Sequence, residues 1–394
     1  MDTVLYFVGA GLTKSLALPA YPVPAMFDFV STASEYLSDD VVLTTLADLE
    51  DAEPRAYAWE SPVTRRLAPQ LVGRSAQRTP DLRRQFARAL RDRPSESIED
   101  LLDRTGGDAS NLSSQTADAR FQYAISRLFA LIGWNVNWNP LDSFLARQFR
   151  IEASCHKFVS FNYDLVLDRA IERRTDDTLD LSNIYGFEPA GTIVRDSNGS
   201  PSDAPQMQTV RGQSSAGICV SLLKPHGSLN WWSRVFRSDT SRDEVWRDQT
   251  VVVPITLAGS LRYVLSTEPH QWVQPLDGMP FLVEPVILTP RGAKKPARQF
   301  LARVREREEE AIGSADEVYI LGWSVPRTDG DQECLIRSTV AKRVRPFKQV
   351  TVVNLHAGVE YFRRVKDIFG TESQILRVFN SGFEEFVISQ HSST

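Results

Sequence analysis

Five short segments of this chain carry residue types able to meet phosphate, hold a ribose and move a proton. The first is Gly9-Ala10-Gly11, where two glycines let a backbone turn tightly and approach a pyrophosphate with amide hydrogens forward. Leu12-Thr13-Lys14 follows, so the third glycine of a GxGxxG is absent, and a ligand-free turn stands beside the phosphate reading. Thr13 and Lys14 would add a hydroxyl and an ammonium. In Phe161-Asn162-Tyr163-Asp164, Asn162 offers two donors and an acceptor and Asp164 offers acceptors for ribose hydroxyls, although both are also ordinary caps for a following helix. In Lys224-Pro225-His226-Gly227-Ser228-Leu229-Asn230, His226 sits on a glycine-flanked turn, a place for proton transfer more than for core packing. Trp231 and Trp232 beside it would wall a pocket or fill core. Gly322-Trp323-Ser324-Val325-Pro326 and Val353-Asn354 complete the set. Gly322 allows close approach, and Ser324 and Asn354 could hold a ribose or an adenine edge, with plain turn chemistry as the alternative.

The elements that must position these residues follow from the apolar pattern. Val4 to Val8 is a continuous apolar run with β-branched and aromatic members, the pattern of a strand buried on both faces. From about Pro24 to Glu152 the spacing turns helical: Phe121, Ile125, Leu128, Phe129 and Ile132 share one helix face. Beyond it, strands are expected at 157–161, 218–223, 283–288, 317–321 and 349–354. Helices are expected at 165–174, 296–312, 333–342 and 359–369, with a strand and a helix closing the chain at 375–388. Such alternation implies an α/β fold, Rossmann-like, with a mostly parallel sheet, helices on both faces and an inserted helical subdomain. The expected units are nested: 1–23 and 153–394 form the sheet domain, 24–152 the helical insertion, and 196–217 a flexible loop rich in Ser, Gly, Pro and Asn. All five chemical segments then fall at strand ends, where one crevice could collect them.

Composition bounds the function. The chain has 394 residues, 45 basic and 50 acidic, for a net charge of −5, which argues against a dedicated nucleic-acid binder. The basic stretch from Arg291 to Arg307 is offset by Glu306 and by Glu308 to Glu310 and reads as a solvated helix face. Three cysteines, 155, 219 and 334, form no CxxC pair, so neither a disulfide framework nor a zinc site of the usual spacing is expected. The N-terminal apolar run is broken by Gly9 and Gly11, unlike a signal peptide or a membrane span, and a cytoplasmic protein without membrane contact is expected.

Taken together, GAG at 9–11, SFNYD at 160–164, KPHGSLNW at 224–231, GWSVP at 322–326 and VN at 353–354 resemble the SIR2 family, and its bacterial SIR2-like group in particular. IEDLL at 98–102 resembles the start of that family's helical insertion. The resemblance implies an NAD-binding fold and, as the leading activity, NAD hydrolysis to nicotinamide and ADP-ribose. Carried onto this chain, Gly9, Ala10, Gly11 and Thr13 would meet the phosphates, and Asn162 and Asp164 the nicotinamide ribose. His226 would be the base, and Gly322, Ser324 and Asn354 would hold the adenosine half. Deacetylase sirtuins carry four zinc cysteines in two CxxC pairs, which this chain lacks, and Pro19 to Pro24 reads PAYPVP in place of their PDFR stretch. No metal is therefore implied. The resemblance further implies an effector of antiphage defence acting by NAD depletion, and the chain's size, taken up by the sheet domain and the helical insertion, predicts regulation by self-assembly as a homo-oligomer or by a partner such as a HerA-type ATPase or an Argonaute-like protein. Two other classes remain: an NAD-dependent protein deacylase or ADP-ribosyltransferase, and a non-catalytic NAD-sensing subunit.

Overall fold

The first strand, β1 (Asp2–Val8), is buried from Val4 to Val8, so its apolar run has no solvent face. A parallel strand lies on each side of it, β2 (Ser154–Ser160) with Val8 opposite Ser160, and β10 (Glu317–Leu321) with Val8 opposite Leu321. The structure is a computed structural model and describes residues 2–19, 23, 136–150, 154–175, 184–185, 191–194, 206–208, 219–237, 245–254, 272–275, 281–287, 298–326, 329–355, 357–370 and 376–391. Beyond β2 lies β5 (Cys219–Leu223), and beyond β10 lie β11 (Gln349–Val353) and β12 (Leu376–Phe379), all in parallel register. The sheet order is β12-β11-β10-β1-β2-β5. Numbered by occurrence within this sheet, its strands run 3-2-1-4-5-6 when read from the β5 edge with β1 as the switch, the doubly wound arrangement of dinucleotide-binding folds.

Seven described helices accompany the strands: α1 (Ala10–Ser15), α2 (Asn139–Gln148), α3 (Val166–Arg174), α4 (Arg298–Ser314), α5 (Gly330–Ala341), α6 (Val359–Phe369) and α7 (Phe383–His391). They cover both faces, as two neighbouring residues of β1 show. Successive strand side chains point to opposite sides. Tyr6 meets Phe144 of α2 at 5.9 Å between ring centroids, whereas Phe7 meets Phe369 of α6 at 5.4 Å. The second contact follows from the amphipathic spacing of α6, which buries Val365, Ile368 and Phe369 on one stripe. Full burial of each such side chain stabilises the fold by about 1.5–3 kcal/mol.

The expected fold class is observed, and three expectations around it are corrected. The strand expected at 283–288 is β9 (Phe281–Ile287), and it belongs to a second sheet rather than the parallel one. That sheet is a closed barrel of β3 (Gly191–Val194), β4 (Gln206–Gln208), β6 (Gly227–Arg237), β7 (Val245–Pro254), β8 (Trp272–Pro275) and β9. An apolar run reports burial, not which sheet takes the strand up. Within the expected loop 196–217, residues 206–208 form β4, paired antiparallel with β3. Cys155 and Cys219, expected to stay unpaired, face each other in register on β2 and β5 and are joined by a disulfide with Cα atoms 4.7 Å apart. Their 64-residue separation hides an adjacency that parallel register creates. The face holding Phe121 to Ile132, IEDLL at 98–102 and most of the helical insertion, 24–135, lie outside the described residues. Among the described residues, no helix is long and apolar enough to cross a membrane.

Candidate functional site

β1 and its neighbours mark the point at which the strand order reverses direction, and a crevice opens beyond the carboxyl ends of strands at such a point. Two turns meet there. The Gly9 amide donates to the Leu321 carbonyl at 3.0 Å, and the Gly11 amide donates to the Gly322 carbonyl at 2.9 Å. Gly322 has φ +62°, and a Cβ on it would lie 2.1 Å from the Leu12 nitrogen. A Cβ on Gly9 would lie 2.5 Å from the Trp323 Cα. The glycines therefore serve the approach of one turn to the other. The two glycine amides expected to face an anion are directed at carbonyls of the β10 turn, because the turns press together too closely to leave them forward. Ala10, half-buried, opens α1 beside them.

Asn162 is held by a relay. Its Nδ2 donates to the Gly9 carbonyl and to Thr13 Oγ1, each at 3.1 Å, and the Thr13 hydroxyl donates onward to Asp164 Oδ2 at 3.0 Å. A carbonyl cannot donate, so the amide nitrogen must face Gly9 and the Asn162 orientation is determined. Its Oδ1 is buried and has no hydrogen-bond partner among the described residues. Asp164 is engaged on both oxygens, since Oδ1 accepts the Val166 amide at 3.0 Å at the start of α3. Burial pushes the Asp164 carboxyl up, against the opposing charge of Lys224. The capping alternative is thus part of what Asp164 does, while its other oxygen fixes Thr13 and, through it, Asn162.

His226 is presented by a turn in which the Gly227 amide donates to the Lys224 carbonyl at 2.9 Å, with Gly227 at φ +88°. Positive φ suits glycine because it has no Cβ to clash with the preceding carbonyl. The ring lies 5.5 Å from Phe161 and 6.4 Å from Tyr163, so the residues either side of Asn162 flank it. Its Nε2 is 3.1 Å from Oδ1 of Asp329, a residue absent from the five segments. The rest of the motif faces inward. Lys224 Nζ donates to the Asp164 carbonyl at 2.6 Å and to Asp168 Oδ2 at 3.0 Å. Tyr185 donates to Asp168 Oδ1, Asn230 donates to the Tyr185 hydroxyl, and Ser228 donates to Asn230 Oδ1. Lys224, Ser228 and Asn230 are fully buried. Burial raises the Tyr185 hydroxyl well above its usual range, so it stays a donor. These contacts pin the His226 turn to α3.

The later segments form the far side. Ser324 is exposed and precedes Val325, whose φ of +51° is uncommon for a β-branched residue and costs roughly 1–3 kcal/mol. Two side chains from α6 hold that turn: Tyr361 donates to the Trp323 carbonyl at 2.8 Å and Arg364 to the Val325 carbonyl at 2.6 Å. The Asn354 side chain lies 3.5 Å from the Trp323 carbonyl, and its backbone amide donates to the Phe379 carbonyl. Trp323 stacks on Phe161 at 4.7 Å, which brings this turn to the one holding Asn162.

The structure thus brings Gly9, Gly11, Thr13, Asn162, Asp164 and Gly322 into one connected cluster, with His226 beside Phe161. Asp329 and the Lys224–Asp168–Tyr185 network were not among the expected residues. A TDG sequence before a helix resembles a cap, the one signal Asp329 carries. Glu308, expected on a solvated face, is fully buried, because α4 turns that side toward α5, where Gln332 donates to it. Among the described residues, no group of three His, Cys, Asp or Glu side chains could hold a metal ion.

No known family profile matches the chain, and no curated protein matches it. Among solved structures, one described as "The Structural basis of Sirtuin Substrate Affinity" aligns at 12% identity with a TM-score of 0.31, over 64% of this chain and 68% of that one. A superposition that loose carries no argument about function.

Proposed function

We propose that this protein hydrolyses NAD at the nicotinamide–ribose bond, with Asn162 and His226 as the catalytic residues. The observation that carries the reading is Asn162 Oδ1, a buried acceptor with no partner among the described residues, held by a three-residue relay at the strand-order reversal of a doubly wound sheet. A buried polar atom left open in so constrained a setting is an acceptor for a ribose hydroxyl or a water. In the reaction, the bond from ribose C1′ to the nicotinamide nitrogen breaks and its electron pair leaves with nicotinamide. Water oxygen bonds to C1′, and the proton it loses passes to His226. General-base help of this kind contributes roughly 10²–10⁴-fold. The turn of Ser324 and the Asn354 side chain would meet the adenosine half, and the α1 turn would meet the phosphates through Ala10.

The resemblance carries the wider proposal that the protein is an antiphage effector acting by NAD depletion in the cytoplasm, restrained by self-assembly or by a partner ATPase or Argonaute-like protein. Thiol-reducing conditions there would open the Cys155–Cys219 bond. The experiment is chromatography of NAD incubated with the protein, alone and with candidate partners, beside Asn162→Ala and His226→Ala. Nicotinamide release abolished in both variants is expected. Release that continues undiminished in them overturns the assignment.

A further inference from the structure

We infer that Asp329 is the positioning residue for His226: its carboxylate accepts a hydrogen bond from Nε2–H and leaves Nδ1 as the basic nitrogen. The kinetic consequence rests on the NAD-cleavage reading, whereas the tautomer does not. Asp329 occupies the N-cap position of α5, where an aspartate normally accepts an amide of the first helical turn. Here it makes no such bond, and Oδ1 is directed instead at His226 Nε2, 3.1 Å away. Both side chains are almost wholly buried, at 9% exposure for His226 and 5% for Asp329. A carboxylate accepts and does not donate, so the ring nitrogen facing it carries the hydrogen and the other keeps its lone pair. Phe161 and Tyr163 pack against the ring in tilted contacts, with centroids 5.5 and 6.4 Å from it.

The surroundings of Asp329 hold it in place. Its amide donates to the Pro326 carbonyl at 3.1 Å, which ties the residue to the Trp323 turn. Behind it lies Glu308 of α4, bonded to Gln332 one turn further along α5. Burial pushes the Glu308 carboxyl up to about 8, with Arg305 opposing and the charge of Asp329 adding to the rise. At neutral pH Glu308 therefore holds its proton, and its neutral side chain adds no second negative charge beside the Asp329–His226 contact. A histidine whose tautomer is set by a buried acid is the arrangement that makes a poised general base, in which the acid orients and does not itself take the proton.

The test is Asp329→Asn, which preserves size and alters what faces Nε2. Nuclear magnetic resonance of protein carrying nitrogen-15 histidine, with the His226 signals identified by their loss in His226→Gln, reports the tautomer directly. The wild type is expected to show a protonated Nε2 and a pyridine-like Nδ1, and Asp329→Asn to populate the opposite form. Nicotinamide release by the variant should fall in kcat by about 10²–10⁴-fold, with KM for NAD changed by less than about threefold. A wild-type ring protonated at Nδ1 overturns the inference, as does a variant with unaltered kcat. So does a variant that folds, keeps the Nε2 tautomer and loses activity through KM. If the wild type releases no nicotinamide, the functional reading fails and the tautomer measurement still decides the role of Asp329. If the variant does not fold, the wild-type spectrum decides it alone.

Discussion

Replacing Glu308 by glutamine should change how stability depends on pH, in a direction the buried carboxyl dictates. Its side chain is fully enclosed, and burial raises its titration from the ordinary 4.5 to about 8. Below pH 4.5 the folded and unfolded chains both hold the proton, so the favourable contribution is complete. Between 4.5 and 8 the unfolded chain has released a proton that the folded chain keeps, so stability falls as pH rises, and above 8 the loss is complete. At about 1.4 kcal/mol for each tenfold change in proton activity, the full loss is on the order of 5 kcal/mol, of which about 3 kcal/mol has accrued by pH 7. A glutamine side chain has no proton to lose in this range, and its carbonyl can still accept from Gln332, so Glu308→Gln escapes the loss. Urea unfolding of both proteins across pH 5 to 9 measures this, because every other titrating group is common to the two and cancels in the difference. The variant should gain on the wild type from pH 5 to 8 and then hold a constant lead. A difference that stays flat across that range would refute the reasoning.

Gly322→Ala sets a Cβ 2.1 Å from the Leu12 nitrogen at a φ of +62°, and a loss of at least about 3 kcal/mol, or failure to fold, is expected from thermal melting. Gly313→Ala, with open space around the new carbon near the end of α4, should instead gain up to about 1 kcal/mol in the same measurement. Lys224→Met leaves the Asp168 carboxylate buried without its counter-charge and should cost about 3–5 kcal/mol in urea unfolding, part of which Lys224→Met with Asp168→Asn recovers. Thr13→Val breaks the relay from Asn162 to Asp164. At about 1 kcal/mol for each lost hydrogen bond it should reduce stability by about 2 kcal/mol and nicotinamide release by at least about tenfold, with Thr13→Ser restoring both.

Much of the fold is legible in local pattern. The run from Val4 to Val8 has no polar face, so it had to be a central strand, and the spacing of Val365, Ile368 and Phe369 could belong only to one stripe of a helix. The chemical segments likewise announce themselves, because glycine pairs, Asn-Tyr-Asp and a Pro-His-Gly turn are local features whose residues touch one another's backbone. The barrel is a different matter. Strands β9 and β10 are both mostly apolar, and their pairing partners put one in the barrel and the other in the parallel sheet.

The same limit explains Asp329 and Glu308. Each has an ordinary local reading, a helix cap for one and a solvated helix face for the other, and in each the tertiary fold assigns a different partner. Asp329 turns from its own helix to His226, 103 residues earlier in the chain, and Glu308 is closed over when α5 packs on α4. Sequence pattern therefore settled the parallel α/β layout and singled out the segments that carry the candidate residues, since burial pattern and turn chemistry act over a few neighbouring positions. Which oxygen faces which nitrogen, which acid keeps its proton, and which carbonyls receive the Gly9 and Gly11 amides were decided by the folded chain alone. Hydrogen bonding and desolvation act through space, between groups that the sequence keeps far apart.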